Sequence, residues 1–122
     1  MKIIILGAGT VGSTLAISLS KEDNDITVVD ENPATLHHLE EEADISTIVG
    51  SCSYPTTLVN AGIKEAYTVV AVTGSDEINI VSSLMSKVLS PNVKTIARIR
   101  ESSYLQNKTK AAIDAGVIPV DI

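Results

Sequence analysis

Apolar residues in this chain fall into short unbroken runs, separated by segments with helical spacing. Lys2-Ile3-Ile4-Ile5-Leu6 is apolar and β-branched without alternation, the pattern of a strand buried on both faces. Over residues 10–22, Val11, Leu15 and Leu19 recur every four positions with Ala16 beside Leu15, so one helical face is apolar. Asp25-Ile26-Thr27-Val28-Val29 reads as a second strand ending at Asp30. Asn32 as N-cap and Pro33 at the first helical position open a second helix, with Leu36, Leu39 and Ala43 as its stripe.

The same alternation continues. Residues 45–49 read as a short third strand, and Leu58 and Val59 suggest a short helix closed by Gly62 at its C′ position. Residues 67–72 form a fourth apolar run. Ser75 or Asp76 then caps a helix to about residue 89, with Ile78, Val81, Leu84 or Met85, and Val88 as a wide apolar face. Ser90-Pro91-Asn92 is a turn, and residues 94–99 form a fifth strand with Arg98 and Arg100 at its end. Ser102 or Ser103 caps a helix from about Tyr104 to Ala115, stopped by Gly116. Residues 117–120 read as a sixth strand, short or at an edge because Pro119 cannot donate to a ladder. Strands alternating with helices across short joins predict an α/β fold: a Rossmann-like, doubly wound parallel sheet of order 3-2-1-4-5-6.

Composition narrows the function classes. A chain of 122 residues fits one domain. A net charge of −6 disfavours nucleic acid, whose phosphates need a basic face. Cys52 is the sole cysteine, so no internal disulfide forms, which suits a reducing cytosol. The apolar opening runs straight into a glycine turn, so it is a core strand and not a signal peptide. No run approaches the ~18 apolar residues of a membrane span, so no direct membrane insertion is expected. The expectation is a single nucleotide-binding domain over residues 1–122, a fragment of a longer protein, because no closing helix follows the sixth strand.

The candidate chemistry centres on Gly7-Ala8-Gly9-Thr10-Val11-Gly12. Strand, glycine turn, helix and second strand ending in an acid are the dinucleotide-binding fingerprint in its required context. Gly7 lets the chain turn tightly, Gly9 lets a pyrophosphate approach the backbone, and Gly12 lets the helix pack close to the strand. The N–H groups of residues 9–11 and the positive helix end attract phosphate oxygens. Asp30, eighteen positions past Gly12, suits a ribose acceptor and disfavours a 2′-phosphorylated cofactor. A turn kept only for packing is the alternative.

Other strand ends converge on the same edge: Ser51 and Cys52, Thr73 and Gly74, and Arg98 with Arg100. The arginines suit phosphate oxygens; the competing reading pairs them with Asp76, Glu77 or Glu101. Cys52 reads as a small packing residue before a redox thiol, since no His or second Cys lies nearby in sequence. Ser51 and Ser53 suit a base edge or the loop itself. His37 and His38 diverge on their helix and read as a solvated face, so no metal site is expected. Nothing in the sequence resembles a catalytic cluster. A nucleotide crevice without catalytic residues reads as a sensor, whose ligand shifts a conformational balance. The alternative is the cofactor-binding part of an NAD-dependent oxidoreductase that lacks its substrate domain.

Four motifs resemble the TrkA N-terminal domain family, also called RCK or KTN domains, the regulatory subunits of Trk-type potassium uptake systems. They are Ile4-Ile5-Leu6-Gly7-Ala8-Gly9-Thr10-Val11-Gly12, Asp25-Ile26-Thr27-Val28-Val29-Asp30, Ala71-Val72-Thr73 with Asp76-Glu77-Ile78-Asn79, and Ala97-Arg98-Ile99-Arg100 with Tyr104-Leu105. The last two are the most specific. The resemblance implies a cytoplasmic homo-oligomer, peripheral on the membrane through a potassium-translocating subunit, that binds NAD(H) or ATP/ADP. It implies Gly7, Ala8, Gly9, Thr10 and Val11 at the pyrophosphate, Asp30 at the ribose, Thr73 and Gly74 on the far side, and Arg98 at phosphate. Gly50-Ser51-Cys52 stands where many members have Gly-Asp-Ala, so the base-edge contact and the nucleotide preference differ from that pattern.

Overall fold

The computed structural model describes residues 1–114. Five parallel strands, β1 (Lys2–Leu6), β2 (Asp25–Asp30), β3 (Ser46–Val49), β4 (Thr68–Ala71) and β5 (Lys94–Ala97), form one sheet of order 3-2-1-4-5. Helices α1 (Thr10–Ser20), α2 (Pro33–Glu42), α3 (Pro55–Asn60), α4 (Asp76–Leu89) and α5 (Asn107–Asp114) alternate with them, and two 3₁₀ turns cover Ile63–Glu65 and Ser102–Leu105. The Rossmann-like reading holds. The sixth strand and the end of the last helix, with Gly116, fall on residues outside those described.

The unbroken apolar runs have the predicted cause. Along β1, Ile3 and Ile5 enter a core with Ala16, Leu36 and Leu39 from α1 and α2. Ile4 and Leu6 point the other way, into a core with Leu58, Ile63 and Val93, against which Met85 and Leu89 of α4 pack. Both faces of the strand are therefore covered, and a strand buried on both faces needs no polar alternation.

Several boundaries shift. Strand β4 ends at Ala71 and β5 at Ala97, so Arg98 and Arg100 lie on the chain leaving the sheet; the Arg98 amide still donates to the Ala71 carbonyl at 2.9 Å. The last helix is split, with a 3₁₀ turn at Ser102–Leu105 and α5 starting at Asn107, whose φ is +51°. Its first cap is neither serine: the Glu101 carboxylate accepts the Ser103 amide at 3.1 Å. Gly62 does close α3, in the left-handed region at φ +90°. Asn32 caps α2 through its side chain, accepting from Ala34 and Thr35. His37 and His38 are exposed and lie 3.5 and 3.1 Å from Glu41 and Glu42, one helical turn on.

Helix α1 presents its expected stripe, with Ala16 buried and Leu15 and Leu19 packed on the same core, save at Val11; α4 faces the sheet differently from its expected stripe. Gly12 and Ala16 are the buried residues of α1, while Val11 is 42% exposed beside the strand ends. On α4 the buried residues are Asn79, Ser82, Ser83 and Ser86, and Ile78, Val81, Leu84 and Val88 face outward. The serine hydroxyls are satisfied within the helix, as Ser83 and Ser86 donate to the Asn79 and Ser82 carbonyls at 2.8 and 2.7 Å. Small side chains let the helix lie close to β4 and β5, and that closeness turns the branched residues away from the sheet.

Candidate functional site

The chain reverses direction across the sheet between β1 and β4, and the crevice outside the strand ends lies there. Its centre is the turn from β1 to α1. Gly7 adopts φ +107°, and a Cβ there would lie 3.0 Å from the Thr73 backbone nitrogen. Gly12 has even less room: a Cβ would lie 1.8 Å from the Gly7 carbonyl oxygen. At Gly9 the space is open, with nothing within 4 Å of a Cβ position. The three glycines thus serve turn, open cradle and helix contact, as their spacing predicts.

Helix α1 carries no side-chain cap, because its N-cap is Gly9. The Gly7 amide is engaged by the Val29 carbonyl at 2.8 Å, and Ser13 makes the first intrahelical bond, to Gly9, at 2.9 Å. The amides of residues 9–11 lie between these two and have no partner among the described residues. Unsatisfied N–H groups at a helix start carry a partial positive charge and suit an anion.

Asp30 ends β2 facing this turn. Its Oδ2 accepts the Ala8 amide at 2.8 Å and its Oδ1 accepts the Asn32 amide at 2.9 Å. Each carboxylate oxygen has further acceptor capacity, so the acid is oriented without being saturated. Ala8 itself is buried, and its amide holds the acid.

Two adjoining cavities meet at Asp30 and Thr73. One, of about 360 Å³, is lined by Gly7, Gly9, Thr10 and Val11 on one side and by Thr73, Gly74, Arg98 and Arg100 on the other. The second, of about 150 Å³, is lined by Ser51 and Cys52 with Glu31 and Ile78. The residues expected at the strand ends are therefore together, Ala8 alone standing behind the wall.

The arginines do not form the surface ion pairs of the competing reading: among the described residues neither guanidinium is paired. The carboxylate of Asp76 instead accepts the backbone amides of Arg100 at 2.9 Å and Glu101 at 2.7 Å, and these bonds hold its carboxyl below the ordinary range. Cys52 packs in the core, donating to the Val29 carbonyl at 3.6 Å. Burial first, then the negative charges of Asp30 and Glu31, push its thiol up to about 12. It is a protonated packing group at neutral pH, which favours that reading over a redox thiol.

One residue at the site was not given a role by sequence reasoning. Asn79, 1% exposed, accepts from the Thr73 amide and hydroxyl at 2.9 and 2.6 Å and donates to the carbonyls of Thr73 and Arg98 at 3.2 and 2.8 Å. The available signal was an asparagine in line with Ser82, Ser83 and Ser86 at helical spacing, a small polar face beside the apolar one.

Residues 3–119 match the TrkA-N domain family. The chain belongs to that family. A Trk system potassium uptake protein TrkA of Haemophilus influenzae is 50% identical over 121 residues, 99% of this chain and 26% of the relative. This TrkA-N chain thus spans about a quarter of that relative's length. The TrkA-N domain of the Escherichia coli inner membrane protein ybaL superposes with a TM-score of 0.82 over 99% of this chain and 85% of its own; at 16% identity it supports the fold alone. The GsuK channel bound to NAD has 25% identity and a TM-score of 0.74, covering 84% of this chain and 18% of the channel, and GsuK is also known bound to ADP. Among the described residues no helix is long and apolar enough to cross a membrane, and no group of three or more metal-ligating side chains occurs.

Proposed function

We propose that this chain is a nucleotide-sensing regulatory domain, that it binds NAD(H) or ATP/ADP in the crevice between β1 and β4, and that it controls a membrane potassium transport protein as part of a longer chain. The observation that carries the reading is the pairing of an uncapped helix start with an oriented acid on one wall and two unpaired arginines on the other. In this reading the amides of residues 9–11 hold the pyrophosphate, with Gly7, Ala8, Thr10 and Val11 shaping the cradle. Asp30 accepts from the ribose hydroxyls. Thr73 and Gly74 close the far side, Arg98 meets phosphate, and Ser51 and Cys52 border the space for the base. Relatives named as potassium uptake proteins and a channel bound to NAD or ADP support it.

Regulation in place of turnover is supported by relatives named as potassium uptake proteins and by crevice residues suited to binding and orienting a ligand. A ligand with different affinity for two conformations shifts their populations, and a partner subunit reads that shift. Assembly as a homo-oligomer, peripheral on the inner face of a membrane, completes the proposal; the outward apolar face of α4 supports self-association.

Calorimetry with NADH, NAD, ATP and ADP tests it. Binding of at least one is expected, and Asp30→Ala should weaken it about tenfold to a hundredfold, as loss of a charged hydrogen-bond acceptor is worth roughly 1.5–3 kcal/mol. Sedimentation of the same samples should show a species larger than the monomer. Absence of binding to all four at millimolar concentration removes the reading.

A further inference from the structure

The two crevice arginines reach the cavity from a stretch of chain that α4 grips by its backbone. Asn79 of α4 takes the Arg98 carbonyl at 2.8 Å. Asp76, one turn earlier, takes the Arg100 amide at 2.9 Å and the Glu101 amide at 2.7 Å. These bonds link positions 19 to 25 residues apart, so they fix tertiary placement and not local turn geometry. They hold the chain on both sides of Ile99, between the two arginines, while the Arg98 amide is held by the Ala71 carbonyl of β4. The same Asn79 holds Thr73 on the β4 side through three further bonds, which uses all of its donors and acceptors. The guanidiniums have no ion pair among the described residues, so their placement is inherited from the backbone that α4 holds.

Resting on the nucleotide-binding reading above, we propose that Asp76 and Asn79 are positioning residues for phosphate recognition. They set where Arg98 and Arg100 stand across the crevice, and thereby how strongly the domain favours a diphosphate over a monophosphate. Neither side chain lines the cavity that holds the glycine turn. Asn79 is buried beneath it, and Asp76 lies in the neighbouring cavity that shares Gly74 and Arg100, with both carboxylate oxygens on backbone amides. Their effect therefore runs through the arginines.

The sign of the effect separates placement from charge. Asp76 is an anion beside two cations. If its charge alone mattered, removing it would raise affinity for phosphate, because an acid that offsets the arginines would be gone. If placement matters, removing it lowers that affinity. Asp76→Ala removes both backbone bonds as well as the charge, so the direction of change decides.

The test is calorimetry of the chain with AMP and with ADP for wild type, Asp76→Ala, Arg98→Ala/Arg100→Ala and the triple variant. Asn79→Ser is a second probe of the same grip, with circular dichroism as the check on folding. Wild type is expected to prefer ADP. Asp76→Ala should weaken ADP about fivefold to tenfold, the scale of one lost hydrogen bond, and leave AMP within about twofold. On the double-arginine background the same substitution should cause no further loss, since the groups it positions are gone. Asn79→Ser, where it folds, should weaken ADP in the same direction. The inference fails if Asp76→Ala leaves ADP affinity unchanged or raises it. It also fails if AMP and ADP weaken together, or if the losses add in full on the double-arginine background. If wild type binds neither nucleotide, the nucleotide reading itself falls and takes this inference with it; binding by wild type with an insensitive Asp76→Ala sinks the inference alone.

Discussion

Helices α1 and α4 follow neighbouring parallel strands, β1 and β4, so both begin on the same edge of the sheet. Both lie close to the sheet on small residues, Gly12 and Ala16 in one and Ser82, Ser83 and Ser86 in the other. Their first turns differ. α4 is capped and acidic: the Ser75 hydroxyl accepts the Ile78 amide at 3.2 Å, the carboxylates of Asp76 and Glu77 stand in its first turn, and Asp76 and Asn79 tie it to the chain after β5. α1 is open, with a glycine at its N-cap and no side chain over its amides. A helix start binds an exogenous anion only where the protein has not already satisfied it. Of the two starts on this edge, one is therefore available for a ligand and the other is part of the frame that holds the opposite wall. Proximity to the strand ends does not separate them; the side-chain cap and the two acids in the first turn of α4 do.

The comparison can be broken most severely at Gly12. A methyl group there would meet the Gly7 carbonyl, which is backbone and cannot rotate away. Gly12→Ala should cost about 3 kcal/mol or more, the upper range for overpacking, and push α1 off β1. Denaturant unfolding should show a large fall in midpoint. An unchanged midpoint would mean that the helix does not need this contact.

Gly9→Ala sharpens the contrast, because the same chemical change three residues earlier meets open space. Gly9 has φ −73°, which alanine adopts, and its Cβ position is clear. Stability should fall by less than about 1 kcal/mol, the cost of a poorer N-cap. Nucleotide affinity should fall about tenfold, because the added methyl occupies the cradle. A pair of variants that lose stability equally would show that the open space at Gly9 serves packing.

Much of this could be read from the residues. The sheet, its order through five strands and the glycine roles follow from apolar runs and from the spacing of Gly7, Gly9 and Gly12. The convergence of Asp30, Thr73, Gly74 and Arg98 on one crevice follows from topology, since all stand at strand C-termini. The orientation of α4 was less legible. Periodicity picks out Ile78, Val81, Leu84 and Val88 as a face, but it does not say which way the face points, and here the close approach made by serines decides. The division of labour among acids was also hidden. Asp76 was weighed as an ion-pair partner for the arginines by charge, whereas its carboxylate lies against backbone amides, which leave no mark in sequence.

The smallest expected effect concerns that carboxylate and its pH dependence. The amides of Arg100 and Glu101 hold the Asp76 carboxyl below its ordinary value, with the nearby arginine charges adding to the same direction. A carboxyl lowered on folding stabilises the folded state above its unfolded pKa of about 3.9, and that contribution is lost as pH falls through the folded value. Wild type should therefore unfold at a slightly higher denaturant concentration than Asp76→Asn at pH 7, since asparagine keeps one acceptor where the carboxylate has two. The gap should stay constant down to about pH 5 and close below about pH 4, as the wild-type acid takes up its proton. α4 supplies the internal control: Ser86→Ala removes a buried hydroxyl that donates to the Ser82 carbonyl, so its effect should not change across that range. A gap for Asp76→Asn that persisted to pH 2.5 would show that shape, and not the negative charge, holds the chain after β5 in place.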